Sequence, residues 1–291
     1  MVSSVFFRSE NPSQVLREIA QWKGLEQREV FERDFSRHDG AMKIVVFDDD
    51  PTGSQTVHSC PLLLRWDENV LRQGLRHPSP LLFVLANTRA QLPEAAAARN
   101  REICITLRKA MASEGLNCRD VLIVSRGDST LRGHGVLEPQ VIEEELGPFA
   151  ATLHVPAFFE GGRTTVNGVH LINGEPVHKT PFAQDHIFGY STSDLTAWLE
   201  EKSLGAIDKA DVLRITLDQL DAAFESFEGM RELEGWLNAL DKNQLVIVDA
   251  KCADQLIALG TAVRNLMQTK RFLFRSAASL INGLANLPIN H

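Results

Sequence analysis

The chain has 291 residues, of which 44% are hydrophobic and 23% charged, so it can bury one large core or two smaller ones. Its formal net charge of -8 argues against nucleic acid as a main partner, because neutralising phosphates takes a basic face. A local basic pocket for a small anion stays open.

Residues 1–40 read as a helical appendage. Pro12 and Ser13 start a helix whose apolar stripe runs through Val15, Ile19 and Trp22, and Asp39-Gly40 marks a turn. Packing or homodimerisation is the expected role. From residue 41 to 291 strands and helices alternate. Strands are expected over Ile44–Phe47, Pro61–Trp66, Leu81–Ala86, Val121–Val124, Thr152–Val155, Val212–Ile215, Leu245–Val248 and Phe272–Phe274. Helices are expected over Asp67–Arg76, Glu94–Glu114, Pro139–Leu146, Ser193–Glu201 and Gln255–Met267. Serial βα units imply an α/β fold, with a mostly parallel sheet between two helical layers. Residues 157–190 break the rhythm. Within them Val169–Ile172, Asn173-Gly174 and Pro176-Val177 read as a small hairpin on a type I′ turn, inside a long excursion of the kind that binds ligands.

In open parallel sheets, ligands bind beyond the carboxyl ends of the strands. Three unusual clusters fall at such ends. The first is Asp48, Asp49, Asp50, then Pro51, Thr52 and Gly53. Adjacent carboxylates at the end of a core strand repel one another and are partly desolvated, which raises their pKa values. The second is Asn87-Thr88-Arg89. The third is SRGDSTLRGH, Ser125 to His134, where Arg126, Arg132 and His134 offer cationic donors, Ser129, Thr130 and the amide of Gly133 neutral ones, and Asp128 an acceptor. This set suits a small polyhydroxylated acid. The FFEGGR run ending at Arg163 is a weaker anion candidate, and His170, His178 and His186 read as surface or hairpin residues. No GxxxxGK[ST] or strand-borne GxGxxG phosphate cradle is present. Cys60, Cys104, Cys118 and Cys252 lack CxxC spacing and a histidine cluster, so no metal site is expected and the thiols read as those of a reduced, cytoplasmic protein. The start of the chain does not read as a signal peptide, and no apolar run is long enough to cross a bilayer, so no membrane partner is expected.

The segments DDDPTGSQTVH, NTRA, SRGDSTLRGH, PAFFEGGRTTVNGVH, FGYSTSDLTAWLEEKS and FLFRSAAS together resemble the four-carbon acid sugar kinase family, from about Lys43 to the C-terminus. The family's DDxTG motif falls on Asp49, Asp50, Thr52 and Gly53, leaving Asp48 as the more dispensable acid, and its DSTLRG core on Asp128 to Gly133. Some branches carry Lys where Arg126 stands and Asn where His134 stands. The resemblance implies ATP-dependent phosphorylation of a threonate- or erythronate-like acid by a two-domain enzyme, of which this chain resembles the sugar-acid-binding half. ATP and Mg²⁺ would then be held by a nucleotide-binding half, as a domain or a separate partner chain, with neither bound tightly by this chain alone. Asp50 of the Asp49–Asp50 pair would deprotonate the attacking hydroxyl. Arg126 and Arg132 would hold the substrate carboxylate, and Asp128 and Ser129 its hydroxyls. Thr52, Gly53, Asn87, Arg89, Thr130, Gly133, His134 and Arg163 would complete the substrate side.

Two other readings stand beside it. Asp48, Asp50 and Thr52 fit the DxDxT nucleophile motif of a haloacid-dehalogenase-like phosphatase, with Ser125, Asp249 and Lys251 as later parts, although a late acidic pair is missing. The third is a sugar-acid-binding protein without catalysis.

Overall fold

The computed structural model describes residues 42–51 and 60–285. The expected N-terminal helix, and Thr52 and Gly53, lie outside the described residues.

The strands are β1 (Lys43–Asp48), β2 (Leu62–Leu63), β3 (Leu81–Leu85), β4 (Val121–Arg126), β5 (Ala151–Val155), β6 (Arg163–Val166), β7 (Val169–Ile172), β8 (Glu175–Pro176), β9 (Leu213–Ile215), β10 (Gln244–Val248) and β11 (Phe272–Ser276). The α-helices are α1 (Glu68–Arg76), α2 (Pro93–Ser113), α3 (Leu137–Leu146), α4 (Leu195–Lys202), α5 (Leu217–Glu225), α6 (Phe227–Ala239), α7 (Ala253–Leu266) and α8 (Ala278–Ala285). The large sheet runs β2-β3-β1-β4-β11-β5-β10-β9, and every pairing in it is parallel. Its strands therefore end along one edge.

A parallel sheet is covered on both faces, and the period-2 alternation of a strand divides its side chains between two cores. Ile44, Val46, Phe83, Val124, Leu153, Val248 and Phe274 share one buried core, with Leu220 of α5, Leu237 of α6, Leu259 of α7 and Leu280 of α8. Val45, Phe47, Leu82, Val84, Ile123 and Leu273 share the other, with Leu71 of α1, Leu107 of α2 and Ile142 of α3. The α/β/α fold is as the sequence implies. Fully burying each such Leu, Ile, Val or Phe contributes about 1.5–3 kcal/mol before entropy is counted.

Three local readings change. The expected strand Pro61–Trp66 shrinks to two residues at the sheet edge. The 157–190 excursion forms a three-stranded antiparallel unit, β6-β7-β8. Both of its turns are Asn-Gly with positive φ at each residue: 53° and 77° at Asn167-Gly168, 51° and 84° at Asn173-Gly174. This is the type I′ geometry that asparagine and glycine tolerate best. The unit is tied to the main sheet where Thr165 and Ala250 exchange backbone hydrogen bonds of 2.8 and 2.9 Å. Finally, α5, α6 and α8 fall where no helix was assigned. A Thr216–Gln219 capping box opens α5 and the Ser226 side chain caps α6, so the start signals were present.

Candidate active site

The strand ends that the sequence marks as unusual do converge. β1 delivers Asp48, and Asp49 and Asp50 follow it. The peptide after β3 folds over the end of β1: Asn87 N–H donates to Asp48 O at 3.0 Å and Arg89 N–H to Asp49 O at 3.1 Å. This turn needs a left-handed residue, and Asn87 supplies it at φ 48°. On the other side Asp49 N–H donates to Arg126 O at 3.3 Å, and Gly127 N–H to Ser276 O at 2.8 Å. The ends of β3, β1, β4 and β11 are thus stitched into one floor.

On this floor arginines and carboxylates alternate. Asp49 is fully buried, and Arg89 grips it with both ends of its fork, Nη2 to Oδ1 at 2.7 Å and Nε to Oδ2 at 3.3 Å. Arg89 Nη1 reaches Asp50 Oδ2 at 3.2 Å. Asp48 is also buried and pairs with Arg126 Nη1 at 3.2 Å, leaving its Oδ2 without a partner among the described residues. Arg275 at the end of β11 lies 3.9 Å from Asp49, donates to Ser125 Oγ at 2.8 Å and pairs with Glu138 at 2.5 Å. Glu138 opens α3 and also accepts from the Thr88 hydroxyl. Burial pushes the Asp48 carboxyl up to about 6, against the opposing Arg126 charge and with the help of Asp49. Burial likewise raises Asp49 above the ordinary carboxylate range, against the Arg89 hydrogen bond.

Glycine is required beside this cluster. A Cβ on Gly127 would stand 2.2 Å from Arg275 Nη2. Gly133, at φ 95°, lies where a Cβ would be 3.1 Å from Asp49 Oδ2.

The loop after β4 adds the second half of the site. Asp128 accepts from Arg132 Nε at 2.7 Å and from the hydroxyl and amide of Thr130. Burial alone would raise its pKa, but the Thr130 bonds and the Arg89 and Arg132 charges outweigh that and hold it below the ordinary range. The excursion grips this loop from outside. Buried His170 donates from Nε2 to Ser129 O at 2.7 Å and accepts at Nδ1 from the Thr165 hydroxyl at 3.0 Å. Burial holds that imidazole neutral by lowering its pKa to about 4. Tyr190 donates to Thr130 O at 2.6 Å. Arg132 stacks over Phe182 at 5.0 Å. His134 donates to Gln91 O at 2.9 Å and meets the Phe188 ring edge-on.

The described candidates from the first two strand-end clusters and from the loop therefore gather at one edge. Asn87 is exposed there, and Asp50 and Arg132 stay partly open to solvent, with side chains 25% and 30% exposed. Ser129 and Thr130 are buried, and their carbonyls take the His170 and Tyr190 bonds. Arg163 stands apart: its contacts are with Gly161 O, at 2.6 Å, and the Phe158 ring. His170 is a hairpin residue as expected, but it is buried and holds the loop. Asp48, the acid that looked dispensable, is buried and paired with Arg126. Arg275 and Glu138 were missed as site residues. The signal for Arg275 was an Arg-Ser pair directly after the apolar run Phe272–Phe274, the same pattern that marks the other strand ends.

Among the described residues no group of three His, Cys, Asp or Glu side chains could hold a metal ion. No described helix is long and apolar enough to cross a membrane.

Comparison with known proteins agrees with this architecture. The D-erythronate kinase of Heliobacterium modesticaldum is 29% identical over 182 residues, 59% of this chain and 39% of the kinase. A Bordetella bronchiseptica domain of unknown function, solved as a domain-swapped dimer with bound citrate, superposes with a TM-score of 0.64 at 24% identity, over 84% of this chain and 57% of that one. A Haemophilus influenzae protein superposes with a TM-score of 0.58 at 16% identity, over 83% of this chain and 55% of that one. The chain thus spans 39% of the kinase and little more than half of these solved chains. Residues 44–284 match the family model described as the sugar-binding N-terminal domain. The chain belongs to that family, the sugar-binding N-terminal domains of four-carbon acid sugar kinases.

Proposed function

We propose that this domain binds a four-carbon sugar acid of the threonate or erythronate type and presents one of its hydroxyls for phosphorylation by ATP. The observation that carries the reading is the strand-end floor, where Arg89, Arg126, Arg132 and Arg275 face Asp48, Asp49, Asp50, Asp128 and Glu138. Three of these arginines are taken up by buried carboxylates. Arg132, partly open and braced by Asp128 and Phe182, is the one placed to receive a substrate carboxylate in the fork geometry. Asp50 is the open member of the acid triplet. It accepts the proton of the attacking hydroxyl, while Arg89, bound to both Asp49 and Asp50, fixes where that carboxylate points. Asp128 accepts hydrogen bonds from substrate hydroxyls and stays ionised to do so. The relatives support the choice of ligand: one is a D-erythronate kinase, and another was solved with citrate, a small hydroxylated carboxylate.

ATP and Mg²⁺ are assigned to a nucleotide-binding domain, in this protein or in a partner, which supplies the phosphoryl group and neutralises its charge. The contribution of this domain is position: it holds the acid, aims the hydroxyl and takes its proton. A domain-swapped dimer, as in the Bordetella neighbour, is one way for two such halves to meet.

The test is ligand-dependent melting of the 291-residue chain. A ligand that binds only the folded state adds about 2.7 kcal/mol of stability at a hundredfold excess over Kd. Erythronate or threonate should shift the melt, Mg²⁺-ATP should shift it little, and Asp50→Asn should keep the acid-induced shift while abolishing acid-dependent ADP release once a nucleotide-binding domain is supplied. No shift with any four-carbon acid would overturn the reading.

A further inference from the structure

Next to the arginine–carboxylate floor, on the side of β11 and β5, lies a cavity of about 30 Å³. Asp128 and Arg132 form part of its wall, His154, Trp198, Arg275 and Ser276 add further polar groups, and apolar side chains such as Leu195 and Ile247 line the remainder. None of these residues except Asp128, Arg132 and Arg275 has a role in the reading above.

Two of the lining groups are buried polar groups without a partner among the described residues. Trp198 is 4% exposed and its Nε1–H donates to nothing. Ser276 is 3% exposed and its Oγ is unpaired. His154 is also buried, 5% exposed. Burial, helped by the Arg275 charge, lowers the pKa of that ring to about 3, so it stays a neutral imidazole with one donor and one acceptor nitrogen. Buried polar groups are ordinarily satisfied, and two unsatisfied ones beside a buried imidazole around one space ask for an occupant.

Chemistry and size narrow the occupant. The indole N–H can only donate, so the occupant presents an oxygen that accepts. The Ser276 hydroxyl and the acceptor nitrogen of His154 can each take a proton donor. A group that both accepts and donates fits all three; a carboxylate does not donate. The volume fits one or two water-sized groups. The indole is also fixed in place: a Cβ on Gly135 would stand 2.4 Å from Trp198 Cη2.

Resting on the sugar-acid reading, we propose that this cavity is a hydroxyl pocket that takes one secondary hydroxyl of the bound acid and so selects its configuration. The acid's other oxygens stay with Arg132, Asp128 and Asp50. The hydroxyl accepts from Trp198 Nε1–H and donates to Ser276 Oγ or the His154 ring. An epimer that turns the same hydroxyl away leaves those groups unpaired, which a site built around hydrogen bonds penalises strongly.

The experiment titrates the wild-type chain, Trp198→Phe and Ser276→Ala with D-erythronate, D-threonate and L-threonate, and with the four-carbon acids lacking the 2- or the 3-hydroxyl. The wild type should prefer one configuration and bind one of the two deoxy acids at least roughly tenfold more weakly than its parent, the scale of one lost hydrogen bond in a buried site. Trp198→Phe should weaken the preferred acid by a similar factor and leave that deoxy acid unchanged. Equal affinity of the wild type for parent and deoxy acids would overturn the pocket, and that result needs no variant to fold. The pocket also falls if the variants melt lower yet bind every acid as the wild type does, because the cavity would then hold only structural water. If the wild type binds no four-carbon acid at all, the sugar-acid reading fails, and the pocket with it.

Discussion

Removing the Arg275 guanidinium while keeping its volume, as Arg275→Met, tests the physical logic of the strand-end floor. Arg275 and Glu138 side chains are 8% and 3% exposed and 2.5 Å apart, so water screens the pair little. Taking away one partner leaves Glu138 charged and buried with only the Thr88 hydroxyl and the Asn100 amide to satisfy it, and it strips Asp49 of a second cation at 3.9 Å. Breaking a buried pair in this way costs about 3–5 kcal/mol. For a domain of this size that lowers the melting temperature by roughly 6–20 °C. Arg275→Met combined with Glu138→Gln removes the stranded charge and should recover at least half of the loss, because Gln still accepts from Thr88. The assay is urea unfolding of both proteins beside the wild type. A single variant within about 1 kcal/mol of the wild type, or a double variant no better than the single one, would show that the network is not coupled as its distances suggest.

Other consequences follow from the same geometry. Gly127→Ala should destabilise the fold and weaken acid binding together, because its methyl would meet Arg275 at 2.2 Å; melts and titrations would show both. The Asp48 carboxyl has a folded pKa raised to about 6, above the unfolded value near 3.9, so its contribution is fully present at low pH and lost as pH rises through the window from about 4 to 6. Relative to Asp48→Asn, the wild type should therefore lose up to about 3 kcal/mol over that window, and a flat difference would contradict the burial argument. His170 has the opposite sign. Its folded pKa is lowered to about 4, so its contribution is present above pH 6.5 and lost as pH falls toward 4. His170→Gln should remove that acid-side loss and speed amide exchange in the Ser129–Leu131 loop, whose Ser129 carbonyl it holds.

The layers of the fold were legible because the core strands carry continuous apolar runs, and buried parallel strands read in that way. The strand-end clusters were legible for a related reason: three acids after Phe47, or an Arg-Gly-Asp run after Val124, break an apolar run at the edge where ligands bind. Other features depend on what the chain folds against. Asp48, Asp49 and Asp50 look alike in sequence, and only the overlying Asn87–Arg89 turn and the flanking arginines decide that two are buried and one is open. Arg275 lies 226 residues beyond Asp49 in sequence, so pairing at that distance leaves no local trace. β6 could have been found, since Asn167-Gly168 is the same turn signal as Asn173-Gly174. His170 looked like a surface residue because burial of a single polar side chain in a hairpin depends on the loop packed over it.

The measurement that bears most directly on the central claim is a calorimetric titration of the wild type and Arg132→Ala with a four-carbon sugar acid and with the uncharged sugar alcohol of the same length. If Arg132 receives the carboxylate, the variant should lose about 2–4 kcal/mol of affinity for the acid, thirtyfold or more, and far less for the alcohol. Equal losses for the two ligands, or no acid binding by the wild type, would contradict the claim that this strand-end floor is a sugar-acid site.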